Sequence, residues 1–223
     1  IGIPNLLVRK HSLIALDPKQ ELWKITSKVR EILLGNKVYL LDPFNSKTHQ
    51  FNPLFYIDLK AESGAKDLLK LIEILFPSYG MTGAEAHFNN LAGQYWTGLA
   101  KLLHFFINYE PSWLNEFGLK PVFSIGSVVD LYSNIDRELI LSKREELEGT
   151  NGLDENALYH LRDALTKIRE YHETEDEQRS SIDGSFRKKM SLFYLPTVRK
   201  CTDGNDFDPV SYTHLTLPTN SLV

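Results

Sequence analysis

A chain of 223 residues with 42% hydrophobic side chains is long enough to form one or two domains with a buried core. Its formal charge of −4 excludes the class of proteins that bind nucleic acid through overall basic character. The single cysteine excludes a disulfide framework and favours a reducing compartment. No apolar run reaches the roughly eighteen residues that predict a membrane-spanning helix.

Two short apolar runs, residues 13–16 and 38–41, each end in an Asp-Pro step. Helical apolar spacing over Glu21–Leu34 separates them, so the pattern predicts a βαβ unit with buried parallel strands. In such a sheet, residues just past the carboxyl ends of the strands line the ligand crevice. Asp17 and Asp42 are therefore candidate binding residues; the alternative is that each Asp-Pro step only ends a strand and begins a turn.

From about residue 60 onward the apolar spacing becomes helical throughout. The longest predicted helix, Ala84–Asn108, carries a wide aromatic face and is expected to lie at the centre of a helical domain. Further helices are predicted around residues 68–75, over 127–148, from Asp154 onward, and, as the last one, over 185–194.

Basic side chains concentrate at Arg187, Lys188 and Lys189, which can contact a phosphate backbone or an acidic partner. The alternative is a solvated helix face that balances the acidic residues 173–177. The seven histidines show no metal-ligand spacing, so no metal site is predicted. The chain contains no G-x-x-x-x-G-K-[ST] phosphate loop, and we predict no catalytic residue within it.

Six different short motifs follow one another along the chain. They are IGIPNLL at 1–7, DPKQE at 17–21, VYLLDPF at 38–44, NPL at 52–54, EQRSSI at 177–182 and NDFD at 205–208. In this order they resemble the type IV secretion system coupling proteins, the TraG-like conjugative DNA-transfer ATPases. The family motif D-x-K-G-E is matched by residues 17–21, with Gln20 in place of the glycine.

The resemblance implies an α/β plus all-α fold, in which a partial RecA-like P-loop NTPase sheet (βαβ) carries an inserted all-helical domain. Residues 1–59 would form the partial nucleotide-binding domain without its phosphate loop, 60–200 the helical insertion, and 201–208 the return toward the nucleotide-binding domain. Residues 209–223 contain no Asp, Glu, Lys or Arg and resemble a translated sequencing adapter. We therefore expect an internal fragment whose native sequence stops at about residue 208.

The function that the resemblance implies is a coupling ATPase that drives relaxase–DNA or effector substrates into a type IV secretion channel. Such a protein works as a homo-hexamer with inner-membrane components of the channel, at the cytoplasmic face of the bacterial inner membrane. The full-length family uses ATP and magnesium, whereas no cofactor is expected for this fragment alone. Asp17, Lys19 and Glu21 would lie near the nucleotide. The alternative is a non-catalytic helical module that binds DNA or cargo.

Overall fold

The computed structural model describes residues 2–61 and 63–208. Helices dominate this part of the chain, and two short 3₁₀ turns, Pro53–Tyr56 and Ser191–Tyr194, join them. The α-helices are α1 (Gly2–Val8), α2 (Glu21–Leu34), α3 (Gly64–Leu75), α4 (Gly83–Asn108), α5 (Ser112–Glu116), α6 (Ile125–Asn134), α7 (Arg137–Ser142), α8 (Arg144–Glu148), α9 (Glu155–His172), α10 (Asp176–Met190) and α11 (Pro196–Thr202).

The predicted RecA-like βαβ sheet is wrong: no β-strand occurs among residues 2–61 and 63–208, and the described fold is all-helical. The first apolar run, residues 13–16, lies in a loop with Ile14 91% and Leu16 90% exposed. A short apolar run forms a strand only where neighbouring strands and a covering layer bury it, and two strands alone are marginal. Periodicity cannot supply that information, because it reports only local order.

The helix between the two runs is predicted correctly, and α2 spans the expected residues Glu21–Leu34. Gly35 ends it in the left-handed conformation, at a φ of 70°, which glycine adopts without steric cost. Arg30, only 5% exposed, donates hydrogen bonds to the backbone oxygens of Leu6, Arg9 and His11. One buried side chain thereby fixes α1 and the following loop onto α2.

The core lies around α4, which is buried over most of its length and packs against α9 and α10. Trp96, Leu99 and Phe106 of α4 are each fully buried. Burial of each such side chain contributes about 1.5–3 kcal/mol to folding. Where Gly98 of α4 faces α9, an added Cβ would lie 2.9 Å from Cβ of Lys167, so a larger residue would push the helices apart.

The predicted single helix over 127–148 is wrong, because the chain forms three short helices there, α6, α7 and α8. Ile135 adopts an extended backbone, and the Asp136 side chain accepts a hydrogen bond from the amide of Leu139 at 2.9 Å. An aspartate that satisfies a free amide in this way starts a new helix. The helix predicted over 185–194 is also not the last, since α10 begins at residue 176 and α11 follows at Pro196.

The last described residues pack back onto the N-terminal segment. The backbone amide of Phe51 donates to the carbonyl oxygen of Cys201 at 2.8 Å, and the Tyr56 hydroxyl donates to the carbonyl oxygen of Phe207 at 2.8 Å. The ring of Tyr39 stacks on Phe207 with centroids 4.6 Å apart. The proposed division into domains stays a prediction, and the predicted adapter tail, residues 209–223, lies outside the described residues.

Candidate anion-binding site

The residues predicted to lie near a nucleotide surround the start of α2. Asp17 accepts a hydrogen bond from the backbone amide of Trp23 at 2.8 Å, and thus satisfies a free amide of the first helical turn. Lys19 and Glu21 are exposed on either side of Gln20. Their predicted role toward a nucleotide stays a prediction.

Gln20 connects the two Asp-Pro segments. Its backbone is left-handed, with a φ of 56°, and it is the one non-glycine residue with a positive φ in the described chain. Its side-chain amide donates to the carboxylate of Asp42. Asp42 in turn accepts from the amide of Phe44 at 3.2 Å, the geometry of an aspartate that shapes its own turn.

The basic triplet on α10 does not form one surface. Successive helical residues point about 100° apart, so adjacent side chains diverge. Arg187 donates from Nε to the hydroxyl of Tyr132 at 3.2 Å. Lys188 instead pairs with Glu85 at 3.3 Å, and Lys189 is half-buried. Arg187 therefore differs from the two lysines, because it lines a cavity.

This cavity, which we call the arginine pocket, has a volume of about 740 Å³ and lies between α6, α7, α9, α10 and the second 3₁₀ turn. A volume in this range suits a small ligand or a few residues of a peptide. Its principal lining residues are Tyr132, Arg137, Tyr171, Arg179, Asp183 and Arg187.

Asp183 accepts hydrogen bonds from two tyrosines that line the arginine pocket. Its Oδ1 accepts hydrogen bonds from the hydroxyls of Tyr132, at 2.8 Å, and Tyr171, at 2.6 Å. Burial raises the pKa of Tyr132 to about 12, with the hydrogen bond from Arg187 opposing the rise. Burial and the Asp183 carboxylate also raise the pKa of Tyr171. Both tyrosines therefore stay neutral at physiological pH and donate to Asp183.

Arg137 lies among three tyrosine rings. Its Nε donates to the hydroxyl of Tyr95 at 2.6 Å, and its guanidinium carbon lies 5.2 Å from the ring centre of Tyr171 and 5.9 Å from that of Tyr132. Burial alone would lower the pKa of Arg137, but the tyrosines and Asp183 outweigh it and raise that pKa. The guanidinium thus remains charged although it is partly buried.

The arginine pocket carries excess positive charge. Arg179 pairs with Asp176 at 3.2 Å, whereas Arg137 and Arg187 form no ion pair with any described residue. Inside the pocket the single carboxylate of Asp183 is therefore accompanied by two guanidinium groups without an ion pair, those of Arg137 and Arg187. Such a site attracts an oxyanion, because planar guanidinium groups match carboxylate and phosphate geometry.

A second cavity of about 520 Å³ continues the arginine pocket. The two share Arg137, Tyr171 and Arg179, so they form one groove. The second cavity is lined in addition by Asp136 and Glu138. The second cavity therefore has as many carboxylates as guanidinium groups, whereas positive charge is in excess in the arginine pocket.

Sequence reasoning found Arg187 and missed Arg137 and Tyr171, because the lining residues come from helices far apart in the chain. One local signal was present. Arg179, Asp183 and Arg187 are spaced four residues apart, which places them on one face of a helix. In the described chain, no group of three or more histidine, cysteine or acidic residues is arranged to hold a metal ion.

Comparison with known proteins places the chain in a family. A family model described as "Type IV secretory system Conjugative DNA transfer" matches residues 1–211. The chain belongs to this family. A related sequence, Protein VirD4 of Rhizobium radiobacter, is 46% identical over 59 residues, which are 26% of this chain and 8% of that protein. The resemblance inferred from the ordered motifs is confirmed: the chain is similar to a short part of a type IV secretion coupling protein.

Conjugative DNA-transfer proteins of this family are associated with a membrane. In the described part of this member, no helix combines the length and the apolar character that a membrane crossing requires. The family assignment supports the link to type IV secretion and conjugation.

Proposed function

We propose that this chain provides the substrate-binding helical part of a coupling protein, which recruits relaxase–DNA or effector substrates to a type IV secretion channel. The observation that supports this role is the arginine pocket. Arg137 and Arg187 line a cavity whose carboxylate, Asp183, accepts from two tyrosine hydroxyls and forms no ion pair with either arginine, an arrangement that leaves positive charge in excess for a ligand. Charge that is not used inside a protein is typical of a recognition surface.

The motor of the proposed protein would lie in the nucleotide-binding part of the whole coupling protein. There, ATP and magnesium would drive a homo-hexamer at the cytoplasmic face of the inner membrane, next to the inner-membrane components of the channel. Asp17, Lys19 and Glu21 would contribute near the nucleotide. The helical part would act as the module that receives cargo, so a binding role without catalysis is sufficient for this chain.

The proposal is tested by conjugation with the full coupling protein that contains this segment. Arg187→Ala removes an exposed guanidinium whose described hydrogen bond is to Tyr132, so the fold should survive. We expect the frequency of substrate transfer to fall about tenfold, which is the effect of losing one charge-assisted contact. Arg162→Ala is the matched control, because Arg162 pairs with Glu148 on the surface, at 2.8 Å, and does not line the pocket.

Immunoblots should show equal amounts of both variants. Unchanged transfer by Arg187→Ala, at equal protein level, would contradict a role of the arginine pocket in substrate recruitment. A fall of similar size in Arg162→Ala would show that the loss of any surface arginine impairs the protein.

A further inference from the structure

The charge and shape of the arginine pocket favour one kind of cargo over others. We infer that it binds an acidic peptide segment of a protein cargo, with a carboxylate held between Arg137 and Arg187. This inference rests on the proposed function and names the partner of the same site. It is argued from the distribution of charge, the state of the aromatic rings and the shape of the cavity.

Carboxylates lie next to the arginine pocket and balance the positive charge beyond it. Asp136 and Glu138 line the adjoining cavity. On α10, Lys188, the residue after Arg187, is already paired with Glu85. A nucleic acid strand carries phosphates along its whole length, so it would meet these carboxylates when it left the pocket. At separations below the Debye length of about 8 Å such repulsion is only partly screened. A discrete anion of one or two charges meets no such barrier.

The tyrosine rings of the arginine pocket have little free face on which a ligand could stack. Tyr171 is 5% exposed and stacks on Tyr95 at 3.8 Å, and Tyr132 is 6% exposed and stacks on Phe186 at 4.0 Å. Proteins that hold single-stranded nucleic acid stack bases on open aromatic faces. Because both rings already have a stacking partner, the walls are better suited to a peptide than to a base.

The guanidinium groups have the chemistry that an acidic peptide requires. Clusters of arginine are a recurrent means of recognising acidic motifs, since each guanidinium can donate two parallel hydrogen bonds to a carboxylate. Arg137 and Arg187 both contact Tyr132, so they flank the same part of the cavity. Asp183 lowers the net positive charge of the cavity, so removal of its charge should strengthen the attraction of a carboxylate.

Calorimetric titration of the chain with a short peptide that carries two central glutamates tests this inference. The same peptide with glutamines is the ligand control, and an oligothymidine strand of the same length is the competing class. We expect the glutamate peptide to bind and the other two to bind much more weakly. Arg187→Ala should weaken binding of the glutamate peptide about tenfold, while Arg162→Ala should leave it unchanged.

A second variant separates binding from folding. Asp183→Asn removes the negative charge but keeps an oxygen that accepts from Tyr132 and Tyr171, so it should tighten binding of the glutamate peptide severalfold. A structural disturbance would weaken it instead. Equal binding of the glutamine peptide, or no binding of the glutamate peptide, would overturn the inference. Binding of oligothymidine that depends on Arg187 would assign the pocket to nucleic acid.

The titration and the conjugation assay can fail separately. If transfer depends on Arg187 but the glutamate peptide does not bind, the proposed function stands and the acidic-peptide inference falls. If the peptide binds through Arg187 but transfer is unaffected, the pocket recognises acidic peptides without serving substrate recruitment.

Discussion

Residues 2–34 of the N-terminal segment are stabilised by different interactions from the helical region, residues 64–202. The end of the segment, with Leu54, Ile57 and Leu59, belongs to the core around α4. Leu99 in the helical region is fully buried, whereas Leu16 in the N-terminal segment is 90% exposed. The helical region is stabilised by apolar packing around α4, while α1 and α2 depend on hydrogen bonds from the buried Arg30. Equal changes in the two regions should therefore have unequal effects.

The largest difference is expected for the same substitution at the two leucines. Leu99→Ala removes a fully buried side chain and leaves a cavity, which should lower the free energy of unfolding by about 2–5 kcal/mol. Leu16→Ala removes an exposed side chain and should change it by less than about 0.5 kcal/mol. Urea denaturation of both variants measures this. Similar losses would mean that Leu16 is buried in solution and that the contrast between the regions is wrong.

Arg30 provides the next test, because its loss should affect only one region. Arg30→Ala leaves the carbonyl oxygens of Leu6 and Arg9 without their donor, at a cost of about 2–3 kcal/mol. We expect the amides of α1 and α2 to exchange faster with deuterium while those of α4 keep their protection. Arg30→Lys retains the charge with fewer donors, so the exchange rates of α1 and α2 in this variant should lie between those of the unchanged protein and of Arg30→Ala. Loss of protection in α4 would show that the two regions unfold together.

The same contrast explains which features the sequence could predict. The helical period is local, so α2 was placed with its exact bounds and α4 within one residue of its start. The apolar runs at 13–16 and 38–41 need partners elsewhere in a fold, and local sequence does not supply them. The break at Asp136 was visible as a residue type that starts helices, yet apolar spacing across it suggested continuity.

The site follows the same rule. Arg187 was a candidate because it lies in a basic triplet, but neither its contact with Tyr132 nor the pairing of Lys188 with Glu85 could be foreseen from the sequence. Arg137 comes from another helix altogether and is brought there by packing. Local spacing thus identifies the residues on one helix face, whereas their partners across a cavity are a property of the fold.

The partly buried His104 makes the helical region sensitive to acid. Burial, reinforced by the nearby charge of Lys60, lowers the pKa of His104 to about 4, while in an unfolded chain it is about 6.5. The unfolded state therefore binds the proton first as the pH falls, and stability is lost between about pH 6.5 and 4. We expect this histidine to account for about 1–2 kcal/mol of that loss, since partial solvation reduces the full effect.

His104→Gln removes this titration and should flatten the pH dependence of unfolding in that range. The measurement is the urea midpoint at several pH values for both proteins. Because acidic groups such as Asp163 titrate at lower pH, their contribution remains in the variant and provides the reference slope. Parallel curves for the two proteins would mean that the pKa of His104 is the same in the folded and the unfolded chain, and that its burial does not lower the pKa.

The smallest expected effect concerns the left-handed residue of the N-terminal segment. The motif that this chain resembles has a glycine where Gln20 stands, and the φ of 56° explains why, since an L-residue pays about 1 kcal/mol in this conformation. Gln20→Ala keeps that cost and loses the hydrogen bond to Asp42, whereas Gln20→Gly loses the bond but removes the strain. We therefore expect Gln20→Gly to be about 1 kcal/mol more stable than Gln20→Ala, measured from deuterium exchange of α2. Equal stability would mean that the N-terminal segment relaxes its backbone at this position, and that it is held less firmly than the bonds to Arg30 and Asp42 suggest.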